Sequence, residues 1–379
     1  MLGRAALVLV TALLMFPQIA ETIYSPALTD ISARFSVSAA QAAQTLSVYF
    51  IGFAVGVLLW GGFSDRYGRR PALLAGLGVY AAGCLLALWA SDFSLLLVAR
   101  IVTAAGAATG SVVTQTVLRD CYSGRQLAGI FSFNGLALAV SPAIGVYIGG
   151  GLTAIWGMRG VFSALAIFAA ALLLGCLWLM PETRPHNLRG GSFLDVLRRM
   201  AGDRRIALAA ILVAAFNISL FSYYSLAPFL FARFDLDALA FGYSGVALAA
   251  GSLFGALLNR RLLRQNVPLG QMLAIACILH LAGAAAVYVL RESLWFVAPV
   301  ALVTLAYAMA IQLVLGSALS AYGDCRGTAG AIFGLFYYLL IGAGLLAAGW
   351  GQSLGASLLL CAGVSLIAGW RYMHSLNDA

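Results

Sequence analysis

The sequence predicts an all-α polytopic membrane protein, with twelve transmembrane helices arranged as two pseudo-symmetric halves of six. Three observations carry this reading. The first is composition: 63% of the 379 residues are hydrophobic, only 9% are charged, and the mean hydropathy is +0.97, which excludes a soluble globule. The second is spacing. Apolar runs of spanning length, divided at charged or turn-rich breaks, fall near 5–28, 41–63, 72–90, 94–118, 127–152, 160–180, 206–231, 240–259, 269–290, 294–319, 328–350 and 353–371. The third is internal repetition. Tyr24-Ser25 followed by Ala33-Arg34-Phe35 is echoed by Tyr224-Ser225 followed by Ala232-Arg233-Phe234, and Gly61 with Asp65-Arg66 is echoed by Gly255 with Asn259-Arg260. Parallel repeats of this kind place a substrate site near the bilayer midplane, between the halves.

Taken in order, the first span starts almost at Met1 and ends in polar residues, which argues for a retained helix over a cleaved signal peptide. The first half is expected at 1–180 and the second at 206–379. Between them the polar break 181–205, the longest in the chain, reads as a cytoplasmic linker. Every basic residue is arginine. With the N-terminus inside, 17 of the 22 fall on the cytoplasmic side, Arg34, Arg159, Arg233 and Arg291 fall outside, and Arg100 falls within a span. The positive-inside rule then puts both termini in the cytoplasm. The net charge of +9 is this topogenic arginine, and no aromatic-interleaved basic face suggests a nucleic-acid partner. The six cysteines, Cys325 among them, include no Cys-x-x-Cys pair and read as small apolar fillers. No soluble domain fits, so the chemistry must happen within the membrane.

A carboxylate at bilayer depth costs at least about 2.5 kcal/mol and by default marks an ion or substrate pathway. Glu21 is such a group, in the outer half of the first span at ~1.5 Å of rise per residue. Gln18, Glu21, Tyr24 with Ser25, and Leu28 share one helix face, with Pro26 able to bend the helix end, and that face is expected to line a watery cavity. In the fourth span Arg100, Thr103, Ala107, Ser111 and Thr114 form a small, polar stripe. Arg100 lies at the depth of Glu21, ~10 Å below the outer end, and is expected to act on it directly or through water; the alternative is an Arg100 that snorkels to the outer interface. Further candidates for the cavity wall are Asn134 in the fifth span, Asn217, Phe221 and Tyr224 in the seventh, Gln312 in the tenth and Tyr337 in the eleventh. His280, the one acid or base inside a second-half span, reads as structural.

The most specific motif joins the second and third spans: Gly61-Gly62-Phe63-Ser64-Asp65-Arg66-Tyr67-Gly68-Arg69-Arg70. It resembles the signature loop of the major facilitator superfamily, with Phe63 in place of the usual leucine. The resemblance implies the major facilitator fold and a conformational latch made of Gly61, Asp65, Arg66, Gly68, Arg69 and Arg70, joined by Arg119 and Asp120 at the end of the fourth span. Asp65 would face the start of the eleventh span, Gly327-Thr328-Ala329-Gly330, while the transporter is open outward, and a helix N-terminus suits that anion. Gly61 would allow close helix contact and Gly68 a tight turn. Asn259 stands in for the aspartate in the second half, so the mirror cluster is expected to be weaker. Ser141-Pro142-Ala143-Ile144-Gly145 and Gly149-Gly150-Gly151 resemble the superfamily's antiporter motif, a bent, tightly packed helix that tracks export.

Over its full length the chain looks like a twelve-helix drug:proton antiporter of the bicyclomycin-resistance-like branch. Tyr24-Ser25-Pro26-Ala27-Leu28 matches the end of that branch's first helix, although Thr22 replaces its aspartate and Glu21 stands one position earlier, turned by ~100°. The resemblance implies a proton-coupled secondary transporter that exports small amphiphilic compounds by alternating access, with Glu21 and Arg100 coupling the proton. It further implies a monomer in a bacterial inner membrane that needs no cofactor beyond the proton gradient, and whose partners are a small-molecule substrate, protons and membrane lipids. Dedicated export of an endogenous metabolite, such as a metallophore or sugar, is the alternative within the fold. A polytopic membrane enzyme would need a metal or nucleophile constellation, and no His-x-x-x-Asp cluster, Gly-x-Ser-x-Gly or pair of catalytic carboxylates is present.

Overall fold

The apolar runs fold as helices, and the breaks between them fold as capped turns. The computed structural model describes residues 2–185, 193–322 and 326–377; Asn187, Arg189 and Cys325 lie outside the described residues. The spans are α1 (Arg4–Arg34), α2 (Ala39–Tyr67), α3 (Arg69–Leu88), α4 (Phe93–Cys121), α5 (124–156), α6 (158–179), α7 (Arg204–Arg233), α8 (Ala238–Arg264), α9 (Leu269–Val289), α10 (Leu294–Tyr322), α11 (Gly327–Gly351) and α12 (Leu354–Asn377). Between α5 and α6 the helical register is broken at one residue only, Gly157, whose φ of 60° a side chain would resist. A short amphipathic helix, Phe193–Ala201, lies in the linker. Five cysteines, Cys84, Cys121, Cys176, Cys277 and Cys361, are free thiols.

The repeat seen in the sequence is a repeat of geometry. After Arg34 the chain caps at Phe35, turns through Ser36 with φ of 52° and starts α2 with Ser38 as N-cap. After Arg233 it caps at Phe234, turns through Asp235 with φ of 56° and starts α8 with Asp237 as N-cap. The α5–α6 break at Gly157 is matched by Gln352, with φ of 48°, between α11 and α12.

In the first half α4 packs against α2, α3 and α1, and in the second α10 packs against α8, α9 and α7. Two seams join the halves, α2 with α11 and α5 with α8. Small residues permit them. A Cβ added at Gly150 would lie 2.9 Å from the Cα of Gly242, and one at Gly342 would lie 2.8 Å from the side chain of Ile51, the close backbone approach expected of membrane helices. The α2–α11 contacts run from Gly349 beside Ala43 to Gly334 beside Val57. Beyond them Gly61, Gly62 and Gly327 face open space, as Gly129 and Gly135 do on α5. The bundle is therefore closed at the end where α1 finishes and parted at the end carrying the 65–70 loop.

Proline chemistry reinforces the closed end. Pro228 has no N–H for the carbonyl of Tyr224, four residues earlier, and the Ser25 hydroxyl of α1 donates to that carbonyl instead. A hydrogen bond of this kind stabilises by about 1 kcal/mol, and this one exists only while α1 and α7 are together. Within the first half Pro17 likewise frees the carbonyl of Leu13, and Gly110 of α4 lets that carbonyl approach to 2.7 Å from where a Cβ would stand.

Candidate functional site

A cavity of about 330 Å³ lies between the halves, walled by α1, α2, α4 and α5 on one side and by α7, α8, α10 and α11 on the other. Eight of the sequence-derived candidates line it: Gln18, Glu21, Ser111, Asn217, Phe221, Tyr224, Gln312 and Tyr337. Thr22 lines it as well, its hydroxyl turned back to the Gln18 carbonyl at 2.8 Å, so Glu21 reaches the cavity from its shifted position. Glu21 is 8% exposed and, among the described residues, is the only charged side chain of the lining. With Tyr338, the neighbour of Tyr337, the residues Phe50, Phe53 and Tyr307, which the sequence reading did not single out, complete an aromatic wall; Phe50 packs edge-on against Phe221 across the halves at 4.6 Å. The polar groups hold one another. Tyr307 donates to Asn217 Oδ1 at 3.3 Å, and the Asn217 amide donates to the Val213 carbonyl at 2.7 Å. Gln18 Oε1 is buried and has no hydrogen-bond partner among the described residues.

Three candidates sit elsewhere. Tyr24 is fully buried outside the lining: three residues at 100° each turn it about 60° from Glu21, and its ring lies under the Arg100 guanidinium. Thr103 is buried against Gly83 of α3 and donates to the Arg100 carbonyl at 2.9 Å. Eight residues at 100° each put it about 80° away from Ser111 on α4, so the two cannot share a face. Asn134 accepts from Thr11 at 2.8 Å and belongs to the contact between α5 and α1.

Arg100 neither snorkels nor lines the cavity. Its side chain has no exposed area, and its guanidinium stacks on the rings of Tyr24 and Tyr49 at 4.0 and 4.4 Å, the arrangement by which aromatic faces stabilise a desolvated cation. None of its three guanidinium nitrogens has a hydrogen-bond partner, and no ion pair joins it to Glu21, among the described residues.

The signature loop forms a charge cluster inside the first half. Arg69, 1% exposed, donates to Asp65 at 2.6 Å and to Asp120 at 2.8 Å. Gly68 makes the turn with φ of 111°. Arg66 lies over Tyr67, and Arg119 donates to Gln115. Among the described residues Asp65 pairs with Arg69 and with no group at the start of α11, and Gly61, expected to touch a neighbouring helix, faces open space. Both departures have one cause: the halves are parted at this end. In the second half Asn259 is buried and bonds to Gln312 at 3.3 Å and to the Met309 carbonyl at 3.2 Å, so it supports the cavity wall. On α5 Ser141 donates to the Ala137 carbonyl, Pro142 lines the cavity, and Gly145 and Gly149 press against α1 at Thr22 and Ile23. His280 is held between Ser219 and Ser365 at 2.8 and 3.0 Å and stacks on Phe216, a structural placement.

One member of the cluster was missed. Glu182, just after α6, accepts from the backbone N–H groups of Arg69 at 2.8 Å and Arg70 at 3.2 Å, capping α3 across 113 residues of chain. It also accepts from its neighbours Thr183 and Arg184, both at 2.9 Å. Partial burial pushes its carboxyl up, but these N–H groups outweigh it and hold the pKa below the ordinary 4.5. A carboxyl so depressed contributes stability above its unfolded pKa and loses it as pH falls through the folded value. Glu182→Gln should therefore lower the Tm at pH 7, with the difference vanishing on the acid side of 4.5; a Tm gap that persists there would contradict the capping role.

Comparisons agree with this architecture. The family model described as Major Facilitator Superfamily matches residues 10–345. An uncharacterized transporter of Rickettsia bellii (strain RML369-C) is 32% identical over 341 residues, 86% of this chain and 84% of its own. The chloramphenicol resistance protein of Pseudomonas aeruginosa is 28% identical, over 84% of this chain and 78% of its own. Among solved structures, a D-xylose-proton symporter superposes with a TM-score of 0.74 at 16% identity, covering 97% of this chain and 96% of its own. With twelve helices in two repeated halves and a cavity between them, the chain belongs to the Major Facilitator Superfamily.

Proposed function

We propose that the protein is a proton-coupled exporter of small amphiphilic compounds that works by alternating access. The observation that carries this reading is the central cavity, in which one carboxylate, Glu21, stands among aromatic and amide groups contributed by both halves. A wall of this kind suits apolar bodies of varied shape, and the carboxylate provides one site at which a proton and a cationic substrate exclude each other. The chloramphenicol resistance relative favours drug-like cargo. The halves, 1–180 and 206–379, would rock about the 181–205 linker. In the present form the Ser25–Tyr224 bond holds the far end shut; in the other, Asp65 would meet the N-terminus of α11. No cofactor is needed, and Arg100 acts as a positioning charge behind Glu21. The test is export by intact cells: amphiphilic cations should accumulate less in a pump-deficient host making the protein, and a protonophore should abolish the difference. Protonophore-insensitive export would contradict the coupling.

The parted end is assigned to the cytoplasm of a bacterial inner membrane, with both termini and the linker on that side, on the strength of the arginine bias. A cysteine in place of Asp92, the exposed N-cap of α4, should react with an impermeant thiol reagent in intact cells. Labelling only after the membrane is broken would invert the topology.

A further inference from the structure

Arginine is rare at the closed end of the bundle, and two of the four arginines there, Arg34 and Arg159, converge on one cavity. It measures about 580 Å³, lies between the ends of α1, α3 and α6, and is also lined by Phe35, Trp89 and Ser91. Both arginines are exposed, and neither makes an ion pair among the described residues. The acids on the adjoining elements are already engaged at helix N-termini. Asp30 accepts from the Met158 N–H at 2.7 Å, and Asp92 accepts from the Leu95 N–H at 2.9 Å and from the Ser91 hydroxyl at 3.3 Å.

The repeat supplies an internal control. Where the first half has Ser36 and Ser38 after Arg34, the second has Asp235 and Asp237 after Arg233. The turn after α9 carries Arg291 paired with Glu292 at 3.3 Å, and the residue two past Gln352 is Leu354, where Arg159 stands two past Gly157. The second half thus sets Asp235 and Glu292 within two residues of its arginines, whereas the acids adjoining Arg34 and Arg159 are the helix-capping Asp30 and Asp92.

We infer that this cavity binds the phosphate of an anionic phospholipid headgroup in the leaflet at the closed end. Two guanidinium forks can clasp a phosphodiester bidentately. Trp89, 76% exposed, and Phe35 offer the amphipathic rings that lie at headgroup depth, where the glycerol and first methylenes would rest. The site is separate from the central cavity, and its failure would leave the transport reading intact.

Native mass spectrometry of the purified protein with phosphatidylglycerol or phosphatidylcholine tests this. The parent should retain phosphatidylglycerol in preference to phosphatidylcholine, and Arg34→Gln with Arg159→Gln should weaken that retention about thirtyfold. Arg34→Lys with Arg159→Lys should keep most of it, which separates charge from folding, and Arg233→Gln with Arg291→Gln should leave it unchanged. Millimolar inorganic phosphate should not displace the lipid. Equal retention by the Gln pair and the parent would overturn the site, and full displacement by inorganic phosphate would overturn the lipid as its ligand.

Discussion

Glu21→Gln should reduce uphill export to the level of cells that lack the protein. Among the described residues Glu21 is the one charged side chain in the lining of the central cavity, and the buried Arg100 is stacked on Tyr24 and Tyr49 outside that lining. A glutamine keeps the size and one acceptor but exchanges no proton. For a neutral substrate the inward proton carries one charge, worth about 2.3 kcal/mol per 100 mV and enough to hold roughly a fiftyfold gradient, whereas exchange of one proton for one monovalent cation is electroneutral and is driven by the pH difference. Without the exchange the carrier can only equilibrate its substrate, so the gradient should collapse to unity while a neutral substrate still binds. Measured in vesicles with an imposed pH gradient, parent-like accumulation by Glu21→Gln would remove Glu21 from the mechanism.

Gly149→Ala should destabilise the fold strongly. A Cβ there would stand 2.1 Å from the Ile23 carbonyl oxygen and 2.8 Å from its carbon, and both are backbone atoms that no rotamer change can move. The α1–α5 contact would have to open, at a cost of about 3 kcal/mol, next to the Ser25–Tyr224 bond that closes the far end. Gly151→Ala is the control, because its Cβ meets nothing within 4 Å, and removing a helical glycine there should be neutral or slightly stabilising. Tm and monodispersity in detergent distinguish the two; equal behaviour would mean that α1 and α5 yield more easily than the contact implies.

Most of the architecture was legible in the sequence because the bilayer enforces it. Spanning length, arginine bias and the Tyr-Ser and Ala-Arg-Phe repeats each constrain the fold independently. That Glu21 and Gln18 face a cavity was legible from their shared helix face. What could not be counted was rotation. Tyr24, about 60° round the helix from Glu21, is taken out of the cavity by the need of a buried guanidinium for aromatic partners, its ring lying under Arg100. On α4 the stripe from Thr103 to Ser111 drifts by most of a quadrant, which spacing read as one face. Glu182 escaped because its partners, Arg69 and Arg70, are remote in sequence and are met through backbone N–H groups that no motif records. The contact of Asp65 with α11 that the motif implies is not among the ion pairs of the described residues in this conformation, where Asp65 pairs with Arg69.

The central claim is that Glu21 carries the proton that substrate displaces. It is tested most directly by substrate-induced proton release from the purified, detergent-solubilised protein in weakly buffered solution. The account predicts that a cationic substrate added to the parent releases protons, and that Glu21→Gln, folded to the same Tm, releases none. Release from Glu21→Gln equal to that from the parent would place the carrier elsewhere and contradict the account.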